Sequence, residues 1–507
     1  MRLNTAILSP LVLPAYDRSM VTPGILHIGV GNFHKAHQAY YIDEVMNQDP
    51  QNPDVLKWGI VGCSLFDSKK RDALEPQGWL QTLISRCDLT TKAQVLGSMI
   101  DFLPHDENRV NLLDTLTDPD IKIVSLTVTE GGYFLTDEKF DPTLPQIKHD
   151  IENFDEPKTS FGVIAKALDK RRQVGTPPFT VMCCDNLPHN GDVTRSVVVG
   201  LASRADPDLG KWIDENVAFP NSMVDRITPQ TTQHTIEFCK ETYGIDDAMP
   251  VCCEPFCEWV LEDNFCNGRP PLEKVNGITF VPDVGPYELK KIRILNGGHA
   301  SLCYPSALLG LKYVHDSMKH PTVGPFLDAL EKHEIIPTVP PVPDRDLLQY
   351  WKLIGRRFSN PTIEDTIERN CYDGASRQPK FIVPVIADNI KMGRDVSGLA
   401  LVSAMWCRYC QGKREDGSEI KPNDPQWDRL HETAKKAAKD PKIWLSMKDV
   451  YGDIGEEPAF VEAFADWMKR LEEKGVTAAM KKYTQSKDGL QVVTQETPNG
   501  RKILTSA

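Results

Sequence analysis

Gly24-Ile-Leu-His-Ile-Gly29-Val-Gly31-Asn32-Phe33-His34 decides the fold class, because an apolar run passes directly into a glycine turn. A helix is expected to follow, from about Ala36 to Met46. Glycines at 29 and 31 permit a tight turn and a close approach of the backbone to a pyrophosphate, which a helix N-terminus then favours electrostatically. His34 stands where a dinucleotide fingerprint usually has its third glycine, so the motif is incomplete by itself.

Three further apolar runs extend the pattern: Trp58 to Leu65, Ile121 to Thr129 and Phe179 to Asn186. The last two are continuous rather than alternating, as expected of parallel strands covered on both faces. Helical candidates at Phe161 to Arg172 and Asp192 to Ala205 supply the covering layers. Ligands in such sheets bind beyond the carboxyl ends of the strands, which singles out Asp67, Thr129, Glu130 and Asn186. Asp67 is placed to bind the adenosine ribose hydroxyls and favours NAD, although it lies further from the glycines than the usual ~20 residues, so a longer first crossover is expected. Lys69, Lys70 and Arg71 follow it and would hold a 2′-phosphate if the cofactor were NADP.

From Pro286 onward strand-like runs nearly vanish. Helical patterns follow in series at Phe381 to Lys391, Val396 to Cys410, Gln426 to Ala438 and Ala459 to Lys474. The expected organisation is therefore an α/β Rossmann-type domain over residues 1–285 and a mostly α-helical domain over 286–507. The tail after Gln485 reads as peripheral.

The helical half opens on Tyr287-Glu-Leu-Lys-Lys-Ile-Arg-Ile-Leu-Asn-Gly-Gly-His299. Projected as an α-helix at about 100° per residue, Glu288, Lys291, Asn296 and His299 share an arc of about 140°. A lysine beside apolar walls has its charged form disfavoured and can accept a proton from an alcohol. The same pattern also describes an amphipathic helix with a solvated face.

Composition bounds the function. The 507 residues carry 40% hydrophobic and 25% charged residues, enough for more than one core. A net charge of −13 argues against nucleic acid or an anionic membrane as the main partner and favours a small molecule. Thirteen scattered cysteines lack disulfide spacing, and Cys407-Arg-Tyr-Cys410 lacks the second pair of a zinc site, so reduced thiols, a cytoplasmic location and no metal are expected. No signal peptide or long apolar segment is evident.

Taken together, the motifs resemble the polyol-specific long-chain dehydrogenase/reductase family over nearly the whole chain. The resemblance rests on Gly29-Val-Gly-Asn-Phe-His-Lys-Ala-His37, Thr127-Val-Thr-Glu-Gly-Gly-Tyr133, Cys184-Asp-Asn-Leu-Pro-His-Asn-Gly191 and Met223-Val-Asp-Arg-Ile-Thr-Pro229. It continues through Lys291 to His299, Phe358-Ser-Asn-Pro and Asp373-Gly-Ala-Ser-Arg-Gln-Pro-Lys-Phe381.

The resemblance implies metal-independent hydride transfer between NAD(P) and an open-chain sugar alcohol, with D-mannitol and D-fructose as the leading pair. Arabinitol, sorbitol or a hexuronate would be the substrate in neighbouring branches. It assigns Lys291 as general acid/base, and Asn186 and Asn296 as donors to the reacting oxygen. His299, Asp225, Arg369 and Arg377 would bind the substrate, with Lys380 as the alternative to Arg377. Asp225 would repel a uronate. Gly29, Gly31, Asn32, Phe33, Asp67, Thr129 and Glu130 would line the cofactor. Glu288, one turn before Lys291, is a proton-relay candidate whose alternative is a surface glutamate near a helix start. The resemblance also suggests a monomer or weak association. A non-catalytic nucleotide sensor would be expected to lack Lys291, Asn186 or Asn296, and all three are present.

Overall fold

The computed structural model describes residues 7–8, 10–104, 110–136, 139–490, 492–496 and 502–506. Its contacts divide the chain into two compact units, Met1–Gly285 and Pro286–Ala507.

In the first unit five parallel strands form the central sheet: β1 (Pro23–Ile28), β2 (Gly59–Cys63), β3 (Met99–Phe102), β4 (Ile123–Leu126) and β5 (Thr180–Cys183). Their spatial order is β5-β4-β1-β2-β3, with every neighbouring pair parallel. This is the doubly wound order, in which the chain reverses direction across the sheet between β1 and β4. Alternate residues serve opposite layers. Leu26, Ile28, Val124 and Val181 pack with Phe161, Leu168 and Leu201, whereas Ile25, Ile60, Ile123 and Met182 pack with Tyr41, Ile42 and Met46. Both faces are covered, so the strands read as unbroken apolar runs. Each fully buried aliphatic or aromatic side chain contributes about 1.5–3 kcal/mol.

The observed strands are shorter than the apolar runs. Beyond Leu126 the N–H groups of Val128 and Thr129 donate to the Asp185 carboxylate rather than to a neighbouring strand. Asn190–Ala205 and Ser160–Val174 form the expected covering helices.

Two smaller sheets escape the sequence patterns. One orders Ile7–Leu8, Thr90–Leu96, Gln81–Arg86 and Val251–Cys253; the other orders Ser222–Asp225, Glu258–Glu262 and Ile278–Val281.

The helix expected from Ala36 begins earlier, at Asn32, and passes through a π turn at Lys35–Ala39 before Tyr40–Gln48. His34 is inside the core, its ring stacked 3.5 Å from that of His27 at an interplanar angle of 15°. His27 is held by Ser125 Oγ at 2.8 Å and Thr127 Oγ1 at 2.9 Å. Burial lowers His27 to about 3 and His34 well below the ordinary histidine range. An imidazole stack thus fills the place of the third glycine.

The second unit is mostly helical. Gly297–Leu308 is buried on nearly every side, and Ser397–Cys410 packs on the C-terminal helical segment. Glu334 accepts from the Gly398 and Leu399 N–H groups at 2.8 and 2.9 Å and from Tyr483 Oη at 2.8 Å, which fixes the start of that helix. The helix expected to end at Lys474 breaks at Gly475 (φ 77°, ψ 173°) and resumes to Lys487. Beyond it Val492–Glu496 pairs antiparallel with Lys502–Ser506, a correction to the wholly helical reading of this half.

All thirteen cysteines are free thiols, and burial pushes Cys407 and Cys410 well above the usual thiol range. Among the described residues no helix is long and apolar enough to cross a membrane.

The buried histidines generate a pH dependence. Native His34 is neutral, whereas the unfolded chain protonates below about pH 6.5, so the unfolded state binds more protons and stability falls as pH drops through that value. Urea unfolding at pH 7 and 5.5 should show His34→Phe losing about 1 kcal/mol less than the parent over this interval. Identical losses would show that His34 protonates freely in the native protein.

Candidate active site

In the first unit the glycine turn meets two distinct requirements. Gly29 has φ +100°, and a β-carbon there would lie 2.2 Å from the Thr127 carbonyl oxygen, so only glycine fits. At Gly31 an added β-carbon would meet only the Gly29 oxygen, at 3.8 Å. Its missing side chain therefore leaves open the approach that a pyrophosphate needs. The Asn32 amide donates to Pro229 O at 3.1 Å and Thr231 Oγ1 at 3.0 Å, so this side chain anchors the turn from behind. Phe33 stacks on His37 at 4.9 Å.

Asp67 follows β2, half-exposed, with Oδ1 accepting from the Lys69 N–H at 3.2 Å. The cations behind it divide. Lys69 is 88% exposed with its ammonium 3.9 Å from Asp67, while Arg71 pairs with Glu75 at 2.8 Å. Lys70 is half-buried, and burial lowers its pKa against the opposing effect of Asp67. An open glycine turn beside a strand-end carboxylate is the donor and acceptor set that NAD requires.

Beyond β4 and β5, Asp185 gathers the two strand ends. Its carboxylate accepts from Val128 N (2.9 Å), Thr129 N (3.1 Å) and Tyr133 Oη (2.7 Å), and Thr129 is held at φ +65°. Burial, followed by Cys183 and Asp185, pushes the Tyr133 phenol far above its usual range. The next residue, Asn186, is exposed. Glu130 opens the 3-10 turn Glu130–Tyr133, and its side chain lies outside the described residues. Asp225 ends its strand with only 4% exposure.

In the second unit the opening helix departs from α geometry where the chemistry is expected. Lys291–Asn296 forms a π turn, flanked by Gly285–Lys290 and Gly297–Leu308. An α-helix sets residues i and i+5 about 140° apart, whereas the wider turn of i→i+5 bonding narrows that angle. The π turn thus draws Lys291 and Asn296 nearer in direction than the α-helical projection, which had them at opposite ends of its arc. Lys291 is 7% and Glu288 6% exposed, so Glu288 is not a surface glutamate. The Asn296 amide oxygen is buried with no hydrogen-bond partner among the described residues, a costly state for an acceptor.

His299 stacks on Phe358 at 4.1 Å and presents Nε2 to Asp365 Oδ2 at 3.6 Å, beyond hydrogen-bond length. Asp365 grips Arg369 through two bonds of 2.8 Å and accepts from Asn370 at 3.1 Å. Arg377 donates to the Asn370 carbonyl at 2.5 Å. Burial lowers the His299 pKa well below the ordinary range, reinforced by Arg369, Arg377, Arg357 and Lys291. The imidazole is neutral in a cationic surrounding. Arg377 is one of the cations acting on His299, and Lys380 is exposed.

Asp365 and Asp185 were not singled out from the sequence. The signal for the first was its i,i+4 spacing from Arg369; for the second it was the Cys-Asp-Asn run itself. Among the described residues no three His, Cys, Asp or Glu side chains are grouped to hold a metal.

Comparison with known proteins gives a consistent result. Residues 23–274 match the mannitol dehydrogenase Rossmann domain and residues 283–472 the mannitol dehydrogenase C-terminal domain. The chain is 48% identical to a mannitol 2-dehydrogenase of Cereibacter sphaeroides, covering 93% of this chain and 98% of that one. It is 39% identical to one of Aspergillus terreus, with coverages of 93% and 95%. Among solved structures, the Pseudomonas fluorescens mannitol 2-dehydrogenase ternary complex with NAD and D-mannitol aligns with a TM-score of 0.85 and 43% identity, covering 94% of this chain and 97% of that chain. A substrate-free D-sorbitol dehydrogenase aligns with a TM-score of 0.85 and 35% identity, with coverages of 93% and 98%.

The Asp365 clamp makes a specific prediction. Asp365→Asn keeps the shape and removes the charge that orients Arg369, so KM for the substrate should rise about 10- to 100-fold, the worth of a hydrogen bond to a charged group. Nucleotide affinity, read by fluorescence titration, should not change. An unaltered substrate KM would remove Asp365 from this role.

Proposed function

The chain belongs to the mannitol dehydrogenase family, and from that premise we propose that it interconverts D-mannitol and D-fructose with NAD as its cofactor. The observation that carries the reading is the end-to-end similarity to a solved mannitol 2-dehydrogenase holding both NAD and D-mannitol.

The open turn at Gly29 and Gly31, with Asn32 and Phe33, would receive the pyrophosphate, and Asp67 the adenosine ribose hydroxyls. Thr129 and Glu130, at a strand end, complete the cofactor side. When bound, NAD supplies the acceptor for a hydride in oxidation, and its reduced form the donor in reduction.

The chain's own groups handle the proton and the oxygen. Lys291 accepts the proton of the reacting hydroxyl in the oxidation direction and returns one to the carbonyl oxygen in the reduction direction. Asn186 and Asn296 donate amide N–H groups to that oxygen as negative charge develops, without titrating themselves. Glu288, buried one turn before Lys291, passes the proton onward.

Arg369 and Arg377 fix which carbon of the polyol is presented, since each offers several donors to neighbouring hydroxyls. His299 adds a neutral donor. Asp225 accepts from a hydroxyl and disfavours a uronate, which makes a neutral sugar alcohol the substrate. The reading includes a metal-independent, monomeric and cytoplasmic enzyme.

Initial rates with D-mannitol, D-fructose, D-sorbitol and D-arabinitol, each with NAD(H) and NADP(H), test it directly. D-fructose reduction by NADH is expected to dominate; a clear preference for another polyol would keep the chemistry and change the substrate. EDTA should leave the rates unchanged, and inactivation reversed by zinc would overturn the lysine mechanism. Lys291→Ala should lower kcat by at least about 10²–10⁴-fold while retaining nucleotide binding. Near-parental turnover would exclude Lys291 as the general acid/base.

A further inference from the structure

We propose that Phe66 is the platform on which the adenine ring of the cofactor stacks, an inference that rests on the NAD-dependent reading above. Phe66 is 89% exposed, the most exposed large hydrophobic side chain among the described residues. Its neighbour Leu65 is packed into the core at 7% exposure, so the chain here is anchored and the aromatic ring faces water. Among the described residues of the first unit, no packing contact covers the ring at this position.

Its place in the sheet gives the ring a use. β1 and β2 are parallel neighbours, and the Gly29 N–H donates to the Cys63 carbonyl at 3.1 Å, joining the start of the glycine turn to the end of β2. Phe66 lies three residues beyond that carbonyl and directly precedes Asp67. With the pyrophosphate at the turn and the ribose hydroxyls on Asp67, the adenine ring is carried to the end of β2. Its flat face needs a partner there. The nearby cations do not provide one: Arg71 is engaged by Glu75 and Asp72, and Lys69 points into solvent. The benzyl ring of Phe66 is both uncovered and of matching shape, and stacking would remove two apolar faces from water at once.

Binding of ADP-ribose, measured by calorimetry on the full chain, tests this without reference to turnover. Phe66→Ala is expected to weaken ADP-ribose about 5- to 150-fold, the range for losing one base–aromatic stack, and Phe66→Tyr to restore it. Reduced nicotinamide mononucleotide, which lacks adenine, should bind Phe66→Ala and the parent equally, as read by its fluorescence. Equal ADP-ribose affinity in Phe66→Ala and the parent would overturn the proposal, as would a parallel loss for the mononucleotide, which would mark a distorted loop. A parent chain that does not bind ADP-ribose at all would instead overturn the NAD-dependent reading itself.

Discussion

The backbone at Gly29 runs so close to Thr127 that no β-carbon fits between them, and the first unit is arranged about this approach. β1 and β4 are paired in register, Ile28 beside Leu126, so the residues leaving both strands meet directly. Thr127 then serves two neighbours, donating from Oγ1 to the Gly29 carbonyl at 2.7 Å and contacting His27 Nε2 at 2.9 Å. His27 in turn supports His34, so one steric constraint sets the turn, the imidazole stack and the start of the following helix. Asp185 completes the arrangement by taking the backbone donors that leave β4.

The second unit depends on a different balance, between burial and charge. Three arginines and a lysine act on one buried imidazole, and a carboxylate at Asp365 offsets part of their field. Protonating His299 there would add a charge in a desolvated, already cationic place, so the ring stays neutral. A neutral imidazole still has one N–H to donate. The cluster is therefore a donor-rich, cationic setting around a neutral ring.

The π turn at Lys291–Asn296 shows how local geometry alters a helical projection. The polar residues of the opening helix were recognisable, because an amide, an imidazole and a lysine in one short stretch have few structural reasons to coincide. Their mutual orientation was not, because a helical projection assumes one angular step per residue. An inserted π turn changes that step through backbone bonds that side-chain identity does not specify. The same holds at Lys35–Ala39, where a second π turn follows the glycine motif. The short strands Met99–Phe102 and Val251–Cys253 were illegible for a related reason: their pairing is made by distant segments, and runs of such length carry little periodic signal.

By itself the sequence determined the alternation of buried strands and helices, the change of character near Pro286 and the residue types available for chemistry. These follow from hydrophobic periodicity and from glycine at a φ that other residues avoid, both local properties of the chain. Only the tertiary structure decided that His34 is a packed, neutral ring, that Glu288 is buried, that His299 lies in a cationic surrounding, and that Asp185 and Asp365 organise their surroundings. Each of these depends on what lies opposite a side chain in space. Burial and opposing charge, which set protonation and orientation, come from residues far apart along the chain.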